Sequence, residues 1–411
     1  MKEGEKMQIG SLIKYHRTKM KMTQSQLAIE ICSITHLSKI ENNSKEANVE
    51  TIRLLLNRLE INVQDAEESE HNIHILLEQI IKNIHYIEHE KSRITFLKLD
   101  FYKEIIAFTK YIYLYEIYKL RYYIFIKDLK LADDQIRWLN TQKQNFSQHE
   151  QYLLLYFSAI LLILKGEYGE AEEKLSIIIQ EIAVSNTFEG EIYYHLALVK
   201  GYLEQSGHAI YYGKKAMEFY KDQFNYKRIL HVHMSLAINY SQSKIYEEAL
   251  VCYEHLIRNA EMLKENDLLP HIYHNIGDLR HKMGDYLIAL EYFKKSSGIF
   301  NKDTEEYLLC LHNIALTEFR LEKWIESKNS FTILNEKSIK MKVPQYQLYS
   351  SFYLLLLNNQ KQKAMSFLED KVVPYIVKMD KQKEYHHYFS KMLAEHFKNE
   401  GKYEKAVKFI L

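Results

Sequence analysis

A chain of 411 residues with only 3 Pro and 12 Gly is poor in turn formers, while 47% hydrophobic residues are ample for a core; this favours long helices in more than one folding unit. The formal net charge of +1 excludes a polycation that holds nucleic acid by bulk charge alone. Three scattered cysteines, no signal-peptide pattern and a longest apolar run (residues 152–164) short of the ~20 residues that span a bilayer point to a cytoplasmic protein with no membrane partner and no disulfide framework.

Residues 7–66 read as five helices. Ile9, Leu12, Ile13 and Met20 recur at helical spacing and give the first. Thr23, with Gln26 three residues later, forms a capping box for the second, which buries Leu27, Ala28 and Ile31. Ser33 caps the third, whose inward residues are Leu37 and Ile40. Asn48 begins the fourth, with Ile52, Leu55, Leu56 and Leu59 inward, and a short fifth element follows Asn62. Two short helices joined by a tight turn over residues 23–43 are how a protein presents a helix end to the major groove. Residues 7–58 hold eight Lys/Arg against four Glu, a net +4, so the positive charge is concentrated in this segment.

The run S-x-x-x-L-S-K-I-E-N, read from Ser33 to Asn42, resembles the signature of Xre/Cro-type helix-turn-helix proteins. That resemblance implies that the helix starting at Ser33 enters the major groove. Its outward residues Ile34, Thr35, Ser38 and Lys39 are then the base-reading candidates: Lys39 for guanine O6 or N7, Ile34 and the Thr35 methyl for a thymine methyl. Gln24, His36, Asn43 and Lys45, with Ser33 at the helix start, would hold phosphates. The chain departs from the family pattern at Glu30, where glycine is common; a left-handed backbone there costs about 1–2 kcal/mol. Asn42-Asn43 replaces the common Asn-Gly, a milder change.

After a linker expected at 67–75, residues 76–411 are helical in pattern with turns at regular intervals. A short motif recurs around Ala132, Ala171, Ala209, Ala249, Ala289, Ser327, Ala364 and Ala406, at spacings of 39, 38, 40, 40, 38, 37 and 42. Four copies carry Tyr three residues earlier (Tyr168, Tyr246, Tyr286, Tyr403). The pattern resembles the tetratricopeptide repeat with a longer period than ~34 residues, so the fold class is all-α: a helix-turn-helix domain followed by an α-solenoid.

Fourteen residues before successive anchors stand His195, Ser235, Asn275, Asn313 and Ser350, a polar row within otherwise apolar helices that Phe157 and Met392 break at its ends. Glu191, His231 and His271 lie one turn earlier, and Asn239 one turn after Ser235. Asn amides donate and accept at once, which suits the backbone of an extended peptide in a repeat groove. The alternative is that these groups cap neighbouring helices or face water.

The whole architecture resembles the Rap–Rgg–NprR–PlcR–PrgX group of peptide-responsive regulators, and NprR-like proteins within it. The resemblance implies operator DNA, a short signalling oligopeptide and a second copy of the chain as partners, with Asn239, Asn275 and Asn313 as peptide-backbone contacts. It leaves two alternatives: a Rap-like modulator that sequesters a response regulator, and a mobile-element repressor whose repeats only dimerise. No phosphate loop, nucleophile elbow or carboxylate pair is present, and the pairs His85/His89 and His386/His387 lack a third ligand at metal spacing. No enzyme activity, metal or cofactor is expected.

Overall fold

Helix follows helix through residues 9–42, 44, 48–60, 64–106, 109–180, 188–379 and 383–409, the residues described by a computed structural model, and no strand occurs among them. The chain divides into two compact units, Met1–Ser235 and Leu236–Leu411.

In the first unit the head comprises α1 (Ile9–Lys19), α2 (Gln24–Ala28), α3 (Ile34–Glu41) and α4 (Val49–Arg58). Local chemistry sets their starts. Thr23 and Gln26 form the expected capping box, Ser33 Oγ accepts from the His36 amide, and Asn48 accepts from the Thr51 amide. Leu27, Ala28, Leu37, Ile40, Leu55, Leu56 and Leu59 are buried as the spacing predicts, whereas Met20 lies beyond α1 and is 46% exposed.

The expected short fifth element is instead a helix of 22 residues, α5 (Gln64–His85). It runs through 67–75, because no Gly or Pro interrupts that stretch. The unit continues with α6 (His89–Phe101), α7 (Lys103–Ile106), α8 (Ile112–Phe125), α9 (Leu129–Gln142), α10 (Gln148–Lys165), α11 (Tyr168–Gln180), α12 (Glu189–Tyr202) and α13 (Ser206–Asp222). Helix α14 (Tyr226–Gln242) carries the boundary between the units.

The second unit contains α15 (Tyr246–Met262), α16 (Leu269–Met283), α17 (Tyr286–Ile299), α18 (Glu305–Arg320), α19 (Trp324–Lys340), α20 (Pro344–Leu357), α21 (Lys361–Phe367), α22 (Val373–Met379), α23 (Lys383–Asn399) and α24 (Tyr403–Val407). A π-helical stretch, Leu368–Val372, joins α21 to α22 inside the longest repeat spacing.

All eight anchors are buried, none more than 4% exposed. They mark where the two helices of a pair interlock. Ser327 Oγ donates to the Ala315 carbonyl at 2.9 Å, and a Cβ added to Gly277 would meet the Phe293 ring at 2.7 Å. Only small residues permit that approach. Five positions before every anchor the chain turns left-handed, at Lys127, Gly166, Glu204, Lys244, Gly284, Glu322, Asn359 and Gly401. The following amide closes back on the preceding helix, as in Gln205 N–H to Lys200 O and Ile245 N–H to Tyr240 O, both 2.8 Å. This is a Schellman ending repeated in each pair.

Candidate functional site

The outward end of α3 rests on a rigid lock beneath it. Glu41, 1% exposed, accepts from Arg17 Nε at 2.6 Å and Nη2 at 2.9 Å, and from Gln24 Nε2 at 2.7 Å. Arg17 Nη1 also donates to the Met22 carbonyl at 2.9 Å. One buried carboxylate thus joins α1, α2 and α3 through a bidentate, charge-assisted pair. Arg58 reaches from α4 to the Leu27 and Ile29 carbonyls, just before Glu30, whose φ of 61° is the left-handed conformation its missing glycine foretold.

With the buried face of α3 committed to Leu37, Ile40 and Glu41, its other side is open: Ser33, Ile34, Thr35 and Lys39 are exposed, and His36 and Ser38 are half-buried. Asn43 and Lys45 lie outside the described residues. Gln24, expected at a phosphate, has its amide engaged by Glu41. Sequence reasoning counted Arg17, Arg58 and Glu41 only as charges. The signal for the lock was there, since a Glu on the buried face of α3 requires a cationic partner.

The polar row divides by burial. In the first unit, His195 is 6% exposed and its Nδ1 is 2.9 Å from the Tyr156 hydroxyl. Burial pushes its pKa down to about 3, against the opposing pull of Glu191. Glu191 itself is 1% exposed and accepts from both Arg121 and Arg228, the latter at 2.9 Å. Burial alone would raise its carboxyl, but the two guanidiniums overturn that and hold it at about 2. Ser235 is buried, and His231 is half-buried edge-on to Tyr194 at 6.5 Å.

In the second unit, Asn275 and Asn313 are half-buried at equivalent positions of α16 and α18, and Asn313 Nδ2 lies 3.4 Å from His274 Nε2. His271 is exposed and packs edge-to-face with Phe300 at 5.0 Å. Asn239 is 3% exposed. Ser350 is fully buried; its hydroxyl donates to the Tyr346 carbonyl at 2.6 Å and accepts from Asn335 at 2.9 Å. Accessible polar groups in the row are therefore His231 in one unit and His271, Asn275 and Asn313 in the other, while His195 and Ser350 serve the core. His85 is engaged by Gln223 at 2.8 Å and His89 stacks on Phe125. Among the described residues no helix is long and apolar enough to cross a membrane.

The family described as Helix-turn-helix matches residues 13–65. The transcriptional activator NprA of Geobacillus stearothermophilus is 25% identical over 405 residues, spanning 93% of this chain and 97% of the relative. The apo form of the quorum sensor NprR from B. thuringiensis shares the fold with a TM-score of 0.74 at 20% identity, over 83% of this chain and 97% of that one. NprR in complex with its cognate peptide NprX gives 0.62 at 19% identity, over 83% and 96%. Similarity to the activator runs through head and repeats alike. The likeness first seen at Ser33 to Asn42 thus extends along the architecture, and in head and repeats alike the chain is similar to the NprR-like members of the Rap–Rgg–NprR–PlcR–PrgX family of quorum-sensing regulators.

Proposed function

We propose that this protein regulates transcription by binding operator DNA through α3 and that a short peptide held on the repeats controls it. Residues 7–66 are the DNA-binding domain and 76–411 the sensing and self-association domain. The observation that carries the reading is the combination at α3: a helix locked from below by Glu41, with Ser33, Ile34 and Thr35 open at its N-terminal end and Lys39 open in its last turn. In this reading Lys39 bonds a guanine edge, Ile34 and Thr35 meet thymine methyls, and Ser33, His36, Asn43 and Lys45 hold phosphates. A head with a net charge of +4 binds one half-site weakly. Two heads on one palindromic site, ~34 Å apart, supply the rest by avidity, so the working species is a homodimer or larger.

For the peptide, Asn275 and Asn313 are the backbone contacts, with His271 beside them. That the repeats hold a peptide is supported by the fold shared with NprR, solved in complex with its cognate peptide. The test is a gel-shift selection of genomic fragments by the full chain, repeated with a pool of short bacterial peptides. Lys39→Ala should lower affinity by roughly 5–150-fold, the value of one bidentate base contact. Asn275→Ala with Asn313→Ala should abolish the peptide response and leave basal DNA binding intact. A folded Lys39→Ala variant with undiminished affinity would remove α3 from the interface.

A further inference from the structure

Head and repeats are joined within the first unit by buried polar contacts that meet at one cluster. On one side, Tyr15 of α1, 2% exposed, donates its hydroxyl to Glu116 Oε1 of α8 at 2.6 Å and packs edge-on against Trp138 of α9. Gln135 of α9 donates to Glu116 Oε2 at 2.7 Å and to the Glu116 carbonyl at 3.0 Å, and Lys119 lies 3.3 Å from the same carboxylate. Five residues along α8, a rise of about 7.5 Å, Arg121 engages the buried Glu191 of α12.

On the other side, α5 ends at the same cluster. Arg228 of α14 bonds Glu191, and it also donates to the His85 carbonyl at 3.2 Å and the Ile84 carbonyl at 3.4 Å. Asn225 adds a bond to the His85 carbonyl at 3.0 Å. The open carbonyls at the C-terminal end of α5 are thus capped by Arg228, which holds Glu191, and by Asn225. Two arginines against one glutamate leave a cationic excess in the interior, and an interior ion cluster has few alternative arrangements short of breaking. Helices α12 and α14 also carry His195, His231 and Ser235 of the polar row.

We infer that the Arg121–Glu191–Arg228 cluster is the joint that couples α12 and α14 to the DNA-binding head, through α8 and its Glu116–Tyr15 contact and through the capped end of α5. Movement of α12 against α14 shifts the shared carboxylate, and α8 and α5 must follow or lose their buried partners. The consequence for transcription rests on the proposed function. The joint itself does not, and its test needs neither DNA nor peptide.

Coupling between two sites is reciprocal. The test is amide hydrogen exchange of the full chain, with Trp324→Phe as the background so that Trp138 is the single tryptophan. Tyr15→Phe removes one hydroxyl at the head end and keeps the ring on Trp138. It should raise exchange at α12 and α14 near Glu191 and Arg228 at least threefold. Glu191→Gln at the other end should raise exchange in α1 by a similar factor and shift Trp138 emission to the red. If each variant changes only its own surroundings, the joint does not exist. Should Glu191→Gln fail to fold, Tyr15→Phe decides alone, because a purely local contact would leave α12 and α14 unchanged. Intact reciprocity together with an unaltered Lys39→Ala affinity would preserve the joint and overturn the DNA reading.

Discussion

Among single residues, His312 of α18 has the most exacting environment. It is fully buried among the rings of Phe331, Tyr346, Tyr349 and Tyr385, and neither ring nitrogen has a hydrogen-bond partner among the described residues. Burial pushes its pKa down to about 4, and it does the same for His274, while His195 falls to about 3. In each case the unfolded chain takes up a proton that the folded chain refuses. Stability is therefore full above about pH 6.5 and declines as pH falls toward the folded values. Glu191 extends the loss further, between about 4.5 and 2. We expect His312→Phe to be more stable than the wild type at pH 5, by about 2 kcal/mol from this group alone, with the difference nearly absent at pH 7.5. Urea midpoints at the two pH values measure it, and an equal difference at both would assign the effect to packing.

At the scale of elements, the left-handed turn before each anchor is the recurring device, and three of the eight positions are glycine. Gly284 has a φ of 87° and no heavy atom within 4 Å of an added Cβ, so Gly284→Ala isolates backbone strain from any clash. It should cost about 1–2 kcal/mol in a denaturant titration. Glu322→Gly, at the equivalent turn, should stabilise by about 0.5 kcal/mol, since relief of strain exceeds the added freedom of the unfolded chain. A loss of stability in Glu322→Gly would mean that its side chain contributes more than its backbone conformation costs.

These turns also explain what could be read from the sequence. The spacing of small residues revealed the helix pairs because steric exclusion at the interlock admits little else. The turns stayed hidden because Lys, Glu and Asn occupy five of them, where glycine would have announced them. Caps at Thr23, Ser33 and Asn48 were legible as local chemistry. The extent of α5 and the pairing of Glu41 with Arg17 were not, because both depend on residues brought together only by packing. The same holds for the polar row, where periodicity located His195 and Ser350 but could not say that their partners would be Tyr156, Tyr346 and Asn335.

The two units of the whole molecule each hold one tryptophan, Trp138 and Trp324. Repeat stacks gain most of their stability from neighbouring pairs, so cooperativity need not extend along the chain. Denaturation followed through Trp138 alone, in Trp324→Phe, and through Trp324 alone, in Trp138→Phe, should give separate midpoints. Coincident curves would show one cooperative block. A further consequence concerns the order of assembly during synthesis. Each interlock joins residues about a dozen positions apart, as Ser327 joins Ala315. Such local closure is fast, so a pair forms soon after it leaves the ribosome. Glu116, Gln135 and Trp138 all precede α12, whereas the Arg121–Glu191–Arg228 cluster is complete only with Arg228, more than a hundred positions later than Glu116. The nascent chain can therefore seat its head on α8 and α9 before α12 and α14 exist, so head docking comes first in time and those two helices are added to a head already in place.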